Sequence, residues 1–319
     1  MKLLMIGGTR FSGRAATERA LAAGHEVTLF HRGSTGAELF PEAEHLTGNR
    51  AVDLSPLAGR SFDAVLDFCG YFPRAVRAST AGIDAGWYGF VSTISVYRDP
   101  FPPGGDEDAP VHEPLDPAVE AFTPESYGPC KRACELMVTE RFGARAAVVR
   151  PGFVVGPHDP TDRFPSLVRR AAAGGQMLAP GPADSWFQFV DARDLGEFLV
   201  HLAETGTGGT FNAVHPPRRV TIAEVLEAAR AVAGADTTFV WPEPTWLLDA
   251  LGDGRDAAFP MWAPDDPGFH EVDGARAAAA GLRSRPIADT VRDVWAAAGV
   301  APANGLSEQR ERELLARWV

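Results

Sequence analysis

The chain is 319 residues long, 45% apolar and 23% charged, with a net charge of −12. This is the balance of a soluble globular protein with room for one large or two smaller domains. The acidic surplus, without any basic run, argues against a nucleic-acid partner, and no apolar run reaches membrane-spanning length. Residues 1–6 run straight into a glycine turn, leaving no space for a signal peptide. The three cysteines (Cys69, Cys130, Cys134) show no metal-ligand spacing. The expectation is a cytoplasmic protein in a reducing compartment, with no membrane contact and no bound metal. Richness in Ala, Arg, Gly and Pro hints at a bacterial source.

From the N-terminus the chain reads as an apolar strand (Lys2 to Ile6), a glycine-rich turn (Gly7 to Gly13) and an Ala-rich helix to Gly24. A second strand, Val27 to Phe30, stops at His31-Arg32-Gly33. A buried strand turning sharply into its crossover helix needs glycine where a side chain would obstruct the turn, a pyrophosphate or the helix–strand contact. Gly7 and Gly13 fit two such places. The helix start then aims free N–H groups and its positive dipole end at phosphate. Strand, turn and helix in this order predict a dinucleotide site; the plain alternative is an ordinary glycine-rich strand–helix turn.

The stretch Gly7-Gly8-Thr9-Arg10-Phe11-Ser12-Gly13 resembles the fingerprint of extended and atypical short-chain dehydrogenases/reductases, the NAD(P)-dependent epimerase/dehydratase/reductase family. That fingerprint is usually Gly-x-x-Gly-x-x-Gly, and here Arg10 stands at the middle glycine. The variant is similar to an atypical branch with a Gly-Gly-Thr-Arg-Phe loop, which contains reductases, epimerase-like proteins and RNA-binding plastid members. The resemblance implies that Gly7, Thr9, Arg10, Phe11 and Gly13 border the cofactor.

The end of the second strand bears on cofactor choice. An NAD site needs an acid there for the ribose 2′-hydroxyl, whereas the 2′-phosphate of NADP needs a cation. The chain offers His31 and Arg32, with Arg10 in the neighbouring loop. Two guanidinium groups favour NADP(H); NAD(H) is the alternative if Arg32 is only a solvated strand-end charge. Further on, Gly48-Asn49-Arg50 followed by Asp53-Leu54 resembles the family's adenine-bordering Gly-Asp-Arg and Asp-Leu, with Asn49 replacing the first Asp. Asp53 could equally cap a short helix over Leu54–Ala58.

A fourth strand, Phe62 to Phe68, leads to Cys69, which by resemblance turns beneath the cofactor. A helix from Pro73 to Asp84 precedes a fifth strand beginning at Tyr88. Counted back from Val96-Tyr97, the family's Ser-Ser-x-x-Val-Tyr pattern puts the catalytic hydroxyl on Thr93, with Ser92 and Ser95 beside it. Alone, such a cluster reads as capping or turn chemistry. Arg98 to Ser126 is a long loop with eight acids, Glu107 and Glu120 among them, against one arginine. It suits a pocket rim for a cationic substrate such as an amino sugar, or a plain solvated loop.

Ser126 is expected to cap a helix carrying Tyr127-Gly128-Pro129-Cys130-Lys131, with Pro129 in its first turn. Four-residue spacing puts Tyr127 and Lys131 on one face. An ammonium there favours phenolate and readies Tyr127 to pass a proton to or from a carbonyl oxygen. The resemblance further implies that Lys131 holds the nicotinamide ribose. It also implies that Gly152 and Phe153, following a sixth strand, border the nicotinamide.

Past residue 155 the simple alternation ends. Helices are expected over Phe164–Ala173, Asp194–Glu204, Ile222–Ala233, 287–298 and Ser307–Trp318, with strands near Trp186–Val190 and Thr210–Ala213. The predicted fold is α/β: a doubly wound parallel (Rossmann) sheet over residues 1–155 with a smaller C-terminal α/β substrate lobe over 156–319, some segments returning to the sheet. Phe187 stands where nucleotide-sugar members carry a diphosphate-binding arginine, which argues against a nucleotide sugar unless Arg163, Arg193 or Arg276 substitutes. His112, His158, His201, His215 and His270 are dispersed and form no metal cluster.

These features describe an NADP(H)-dependent oxidoreductase acting on a ketone or secondary alcohol of a small polar molecule, sugar-like or amino-sugar-like. Tyr127, Lys131 and Thr93 carry its chemistry. The alternatives are an NAD-retaining nucleotide-sugar epimerase/dehydratase and a non-catalytic nucleotide-binding scaffold. The expected partner is a small molecule, and a homodimer is compatible with what is common among relatives.

Overall fold

The computed structural model describes residues 1–116, 123–214, 219–266, 268–297 and 305–318. Glu120, His215 and Ala298 lie outside the described residues. The chain divides into two compact units: Met1–Gly152, Ala192–Pro217 and Val272–Arg283 form unit 1, and Phe153–Asp191, Arg218–Glu271 and Ser284–Val319 form unit 2.

In chain order, unit 1 begins with β1 (Lys2–Ile6), α1 (Phe11–Ala22), β2 (Glu26–His31), β3 (Glu44–Thr47) and β4 (Ser61–Asp67). It continues with α2 (Pro73–Gly82), β5 (Asp84–Val91), α3 (Pro124–Phe142) and β6 (Ala146–Pro151). Unit 2 then supplies β7 (Phe153–Val155), α4 (Arg163–Ala171), β8 (Gln176–Leu178) and β9 (Phe189–Asp191). The chain returns to unit 1 for α5 (Ala192–Thr205) and β10 (Gly209–Ala213). Next, α6 (Ile222–Ala233), β11 (Thr238–Val240), α7 (Pro244–Leu251) and α8 (Arg255–Ala258) belong to unit 2. Finally α9 (Ala275–Ala279) lies in unit 1, and α10 (Ile287–Ala297) and α11 (Glu308–Trp318) in unit 2.

Unit 1 is built on a seven-stranded sheet in the order β10-β6-β5-β4-β1-β2-β3, with every neighbouring pair parallel. Its central strands are continuously apolar, because both faces are covered: Leu3 to Ile6 and Ala146 to Val149 are buried. On one side α1 and α5 pack against each other at short range, which small residues permit. A Cβ on Gly196 would stand 2.7 Å from the Ala16 nitrogen. On the other side Val76 of α2 and Cys134, Met137 and Val138 of α3 close over Leu4, Ile6, Tyr88 and Phe90. This is the doubly wound Rossmann sheet that the sequence predicts. Strand order reverses between β1 and β4, the switch point at whose carboxyl ends such sheets bind ligands.

Unit 2 has a core of Phe164, Phe187, Phe189, Val225, Leu226, Val291 and Val294. Around it lie two small parallel pairs, β8–β11 and β7–β9. Its best-marked helix is α6, where Thr221 and Glu224 form a reciprocal capping box and Gly234 ends the helix at φ +62°. Trp186 contributes only a bridge to Thr221, and the strand after it starts at Phe189, later than expected. The three-residue strands β7, β8 and β11 are too short to carry a readable alternation. Among the described residues no helix is long and apolar enough to cross a membrane.

Candidate active site

At the end of β1 the chain turns through Gly7, at φ +87°, into α1. A Cβ on Gly7 would sit 3.1 Å from Cys69 Sγ, on Gly8 2.7 Å from Thr17 Oγ1, and on Gly13 2.3 Å from the Gly7 carbonyl oxygen. Only glycine lets the helix start draw up against the strand end. Phe11 opens the helix at φ +45°, a left-handed conformation unusual for a bulky residue. The first turn of α1 holds no acidic side chain, so its positive end and its free N–H groups stay available to an anion. Thr9 is buried and donates its hydroxyl to the Thr35 carbonyl at 2.9 Å, tying the turn to the segment after β2. Arg10 and Arg32 are both exposed, and neither forms an ion pair among the described residues. A cradle of glycines, an uncompensated helix start and two uncommitted guanidinium groups fit a dinucleotide phosphate.

Beside Arg32, the imidazole of His31 is held by hydrogen bonds on both ring nitrogens. Its Nδ1 accepts the Gly33 N–H at 3.0 Å, and its Nε2 lies 2.9 Å from His45 Nδ1. Burial first, and then His45, holds the His31 pKa below its ordinary value. Asp53 accepts the Ser55 N–H at 2.8 Å and its hydroxyl at 3.0 Å, but it is not a helix cap: where a longer helix was expected there is a single 3-10 turn, Ser55–Leu57, whose N-cap is Leu54. Leu54 is half-buried against the unit 1 core.

The end of β4 carries a buried polar cluster. Asp67 is inaccessible to solvent and takes Arg50 Nη1 at 2.5 Å and the Tyr88 hydroxyl at 2.8 Å. Burial opposes the Arg50 charge, but Asp67 outweighs it and holds the pKa above the ordinary value. Arg50 Nε and Nη2 are buried without a hydrogen-bond partner. Cys69 donates its thiol toward the Ile6 carbonyl at 3.6 Å, and burial, helped by Asp67, raises its pKa. It is therefore a packed thiol under the glycine turn.

Helix α3 begins earlier than expected. Thr123, not Ser126, is the N-cap. Its Oγ1 accepts the Ser126 N–H at 3.2 Å, while Ser126 Oγ accepts the Thr123 N–H at 2.8 Å. Pro124 fills the first helical position, which leaves Pro129 in the helix interior, past the first turn. Gly128 presses against the exit of β5: a Cβ there would lie 2.0 Å from the Ser95 carbonyl oxygen. That contact seats the helix bearing Tyr127 and Lys131 on the turn bearing Thr93.

Lys131 is buried, and its Nζ donates to the Val91 carbonyl at 2.6 Å and the Gly70 carbonyl at 2.9 Å, the exits of β5 and β4. Burial lowers its pKa, and its ammonium lies 4.3 Å over the Phe90 ring. Tyr127 is half-buried. Thr93 is 7% exposed, and its Oγ1 accepts the Ser95 N–H at 3.1 Å, capping the 3-10 turn Ile94–Val96. Ser92 is committed elsewhere, donating to Glu135 Oε1 at 2.7 Å.

The residues that hold this region together escaped sequence reasoning. Arg150 is 3% exposed and makes a two-pronged pair with Glu135, both bonds 2.8 Å. It also donates to the Tyr97 hydroxyl at 2.9 Å, which in turn donates to Asn212 Oδ1 at 2.7 Å. Glu107, from the acidic loop, is buried and accepts the Asn212 N–H at 2.7 Å, and Arg276 lies 3.3 Å from its other oxygen. The loop is thus pinned to unit 1 at this point, and Arg276 is engaged by the loop's acids. Gly152 packs on Val214 in unit 1. Phe153 meets Phe269 edge-on at 5.3 Å in unit 2, and Phe187 packs there with Phe164 and Phe189. Among the described residues no group of His, Cys, Asp and Glu could hold a metal ion.

Residues 74–213, which include Thr93, Tyr127 and Lys131, match the NAD dependent epimerase/dehydratase family. That match spans the middle of the chain, from the helix after β4 to the last strand of the seven-stranded sheet. The chain is 28% identical over 289 residues to the epimerase family protein SDR39U1 of Bos taurus, covering 81% of this chain and 88% of the relative. It is 24% identical to the chloroplast stem-loop binding protein of 41 kDa b of Arabidopsis thaliana, over 76% of this chain and 64% of the relative. Identity reaches 31% over 121 residues with the dTDP-4-dehydro-6-deoxy-D-allose reductase of Streptomyces bikiniensis, but over only 35% of this chain and 37% of that one. This chain therefore matches less than two thirds of the length of these last two relatives. Among solved structures, a UDP-glucose 4-epimerase matches with TM-score 0.69 at 16% identity, over 97% of this chain and 100% of that one. The UDP-glucuronic acid 4-epimerase of Bacillus cereus, solved with NAD, matches with TM-score 0.63 at 16% identity, over 93% and 96%. These likenesses establish the shared fold.

Proposed function

We propose that the protein is an NADP(H)-dependent oxidoreductase acting on a secondary alcohol or ketone of a small molecule. The observation that carries the reading is the seating of α3 through Gly128 on Ser95, which joins Tyr127 and Lys131 to the Thr93 turn. A nicotinamide cofactor bound at the Gly7–Gly13 turn would supply or accept the hydride. Tyr127 then gives a proton to the substrate carbonyl oxygen, or takes one from the alcohol. The Lys131 ammonium favours the phenolate and is held by the Gly70 and Val91 carbonyls. Arg10 and Arg32 support NADP, because the segment His31-Arg32-Gly33 at the end of β2 offers a cation and no acid for the ribose. Tyr127→Phe should remove at least about 99% of turnover while cofactor affinity stays unchanged; full activity in that variant refutes the assignment.

A second reading, an epimerase that retains NAD and returns the hydride to its substrate, is favoured by the family's name and by the 4-epimerases that share the fold. It predicts NAD that co-purifies and turnover without added nicotinamide. The stem-loop binding relative suggests a scaffold, but a net charge of −12 without a basic run in the sequence is a poor electrostatic match to RNA.

A further inference from the structure

Unit 2 contains a cavity of about 400 Å³, and none of the residues assigned to hydride transfer lines it. Its wall is apolar, formed chiefly by Leu167, Met177, Phe187, Phe259, Met261 and Trp262. The one polar atom of the Trp262 side chain is spent on the Gly181 carbonyl at 2.7 Å, so its ring presents only apolar surface. The volume lies in the range of small-molecule sites, and such a wall favours an apolar body.

Charge narrows the ligand further. Three arginines line the cavity, and two are neutralised within the unit. Arg170 Nε donates to Glu311 Oε2 at 2.6 Å, and Arg169 Nη2 to the Asp162 carboxylate at 2.6 and 2.7 Å. Glu311 gives its other oxygen to the Leu178 N–H at 2.9 Å. Glu308, the remaining acid of the lining, is exposed and faces Arg312 at 3.5 Å. Arg163 differs. It lies 5.2 Å over the Phe153 ring and donates Nε to Thr161 Oγ1 at 3.2 Å; its electrostatic neighbour is the Asp159 carboxyl, whose pKa burial raises, and no carboxylate pairs with it within 4 Å among the described residues. A planar guanidinium on an apolar wall is suited to hold a carboxylate by two parallel hydrogen bonds.

We propose that unit 2 binds an apolar monocarboxylic acid, with an aromatic or medium-length aliphatic body in the chamber and its carboxylate on Arg163. The site concerns unit 2 alone and stands whether or not the hydride-transfer reading holds. Calorimetric titration of the full chain, free of nucleotide, with octanoate, 1-octanol and octylamine tests it. Octanoate should bind saturably at one site, at least about tenfold tighter than octylamine, and UDP should not displace it. Arg163→Gln should weaken octanoate by about fivefold or more and leave octanol unchanged, while Arg163→Lys keeps part of the preference. Leu167→Trp, which fills the chamber, should weaken both octanoate and octanol. The proposal is overturned by no saturable octanoate binding, by equal affinity for octanoate and octylamine, by displacement with UDP, or by unchanged octanoate affinity in either the Arg163→Gln or the Leu167→Trp variant.

Discussion

Gly128 and Ser95 meet so closely that the smallest side chain on the glycine would come within 2.0 Å of the serine carbonyl oxygen. Hydrogen is the only substituent that lets α3 lie on the exit of β5. Gly128→Ala should therefore destabilise the protein by about 1–3 kcal/mol through overpacking, despite the better helix propensity of alanine. It should also cut turnover by pushing Tyr127 away from the Thr93 turn. Thermal unfolding and steady-state kinetics measure the two effects; an unchanged melting temperature with unchanged turnover would show that the contact is relaxed in solution.

The Arg150–Glu135 pair is the second constraint on this region. Replacing Arg150 by Met leaves the buried Glu135 carboxylate with Arg132, at 3.1 Å, as its one remaining ionic partner among the described residues. Breaking a buried pair on one side costs about 3–5 kcal/mol. Urea unfolding of Arg150→Met should show a loss of that size, and Arg150→Met with Glu135→Leu should recover part of it, because the two positions are coupled.

How much of this was readable beforehand follows from the range of the interactions. The Gly7–Gly13 turn and the strands from β1 to β6 stand in the sequence because local pattern sets them: apolar runs broken by glycine, and helices of regular period. Tyr127 and Lys131 were legible through their four-residue spacing together with their place after the fifth strand and the family resemblance. Ser126 was mistaken for the helix cap because Thr123 and Ser126 are both capping residues, and the reciprocal bonds that decide between them are geometric. Gly128 carried no reading of its own within the Tyr127–Lys131 run; its use appears only when the Ser95 carbonyl arrives from another segment. Arg150 and Glu135 drew no reading as a pair, and Glu107 was one of eight acids in a loop, since nothing local signals that partners distant in the chain will bury them. In unit 2, core-facing helices such as α6 were legible, while short strands and the aromatic lining around Phe187 depend on packing.

His270 offers a pH test in unit 2. Its Nδ1 accepts the Gln188 N–H at 3.0 Å and its Nε2 donates to the Met261 carbonyl at 2.9 Å, which leaves no place for a second proton. Burial is the main cause of a pKa below the ordinary 6.5. Below that ordinary value the unfolded chain takes up a proton that the folded chain refuses, so stability falls as pH drops through 6.5 toward the folded pKa. His270→Gln removes this term. Melting temperatures between about pH 7 and pH 5 should fall more steeply for the wild type than for the variant; parallel slopes would contradict the locked neutral ring.

The central claim is that the Gly7–Gly13 turn, with Arg10 and Arg32 beside it, is a site for a nicotinamide dinucleotide bearing a 2′-phosphate. Its most direct test is a parallel titration of nucleotide-stripped protein with NADPH and NADH, repeated on Arg10→Ala and Arg32→Ala. The account predicts NADPH bound at least about tenfold tighter, with each substitution eroding the advantage and leaving NADH affinity nearly unchanged. Binding of neither nucleotide, or NADH held as tightly as NADPH and indifferent to both arginines, would contradict it.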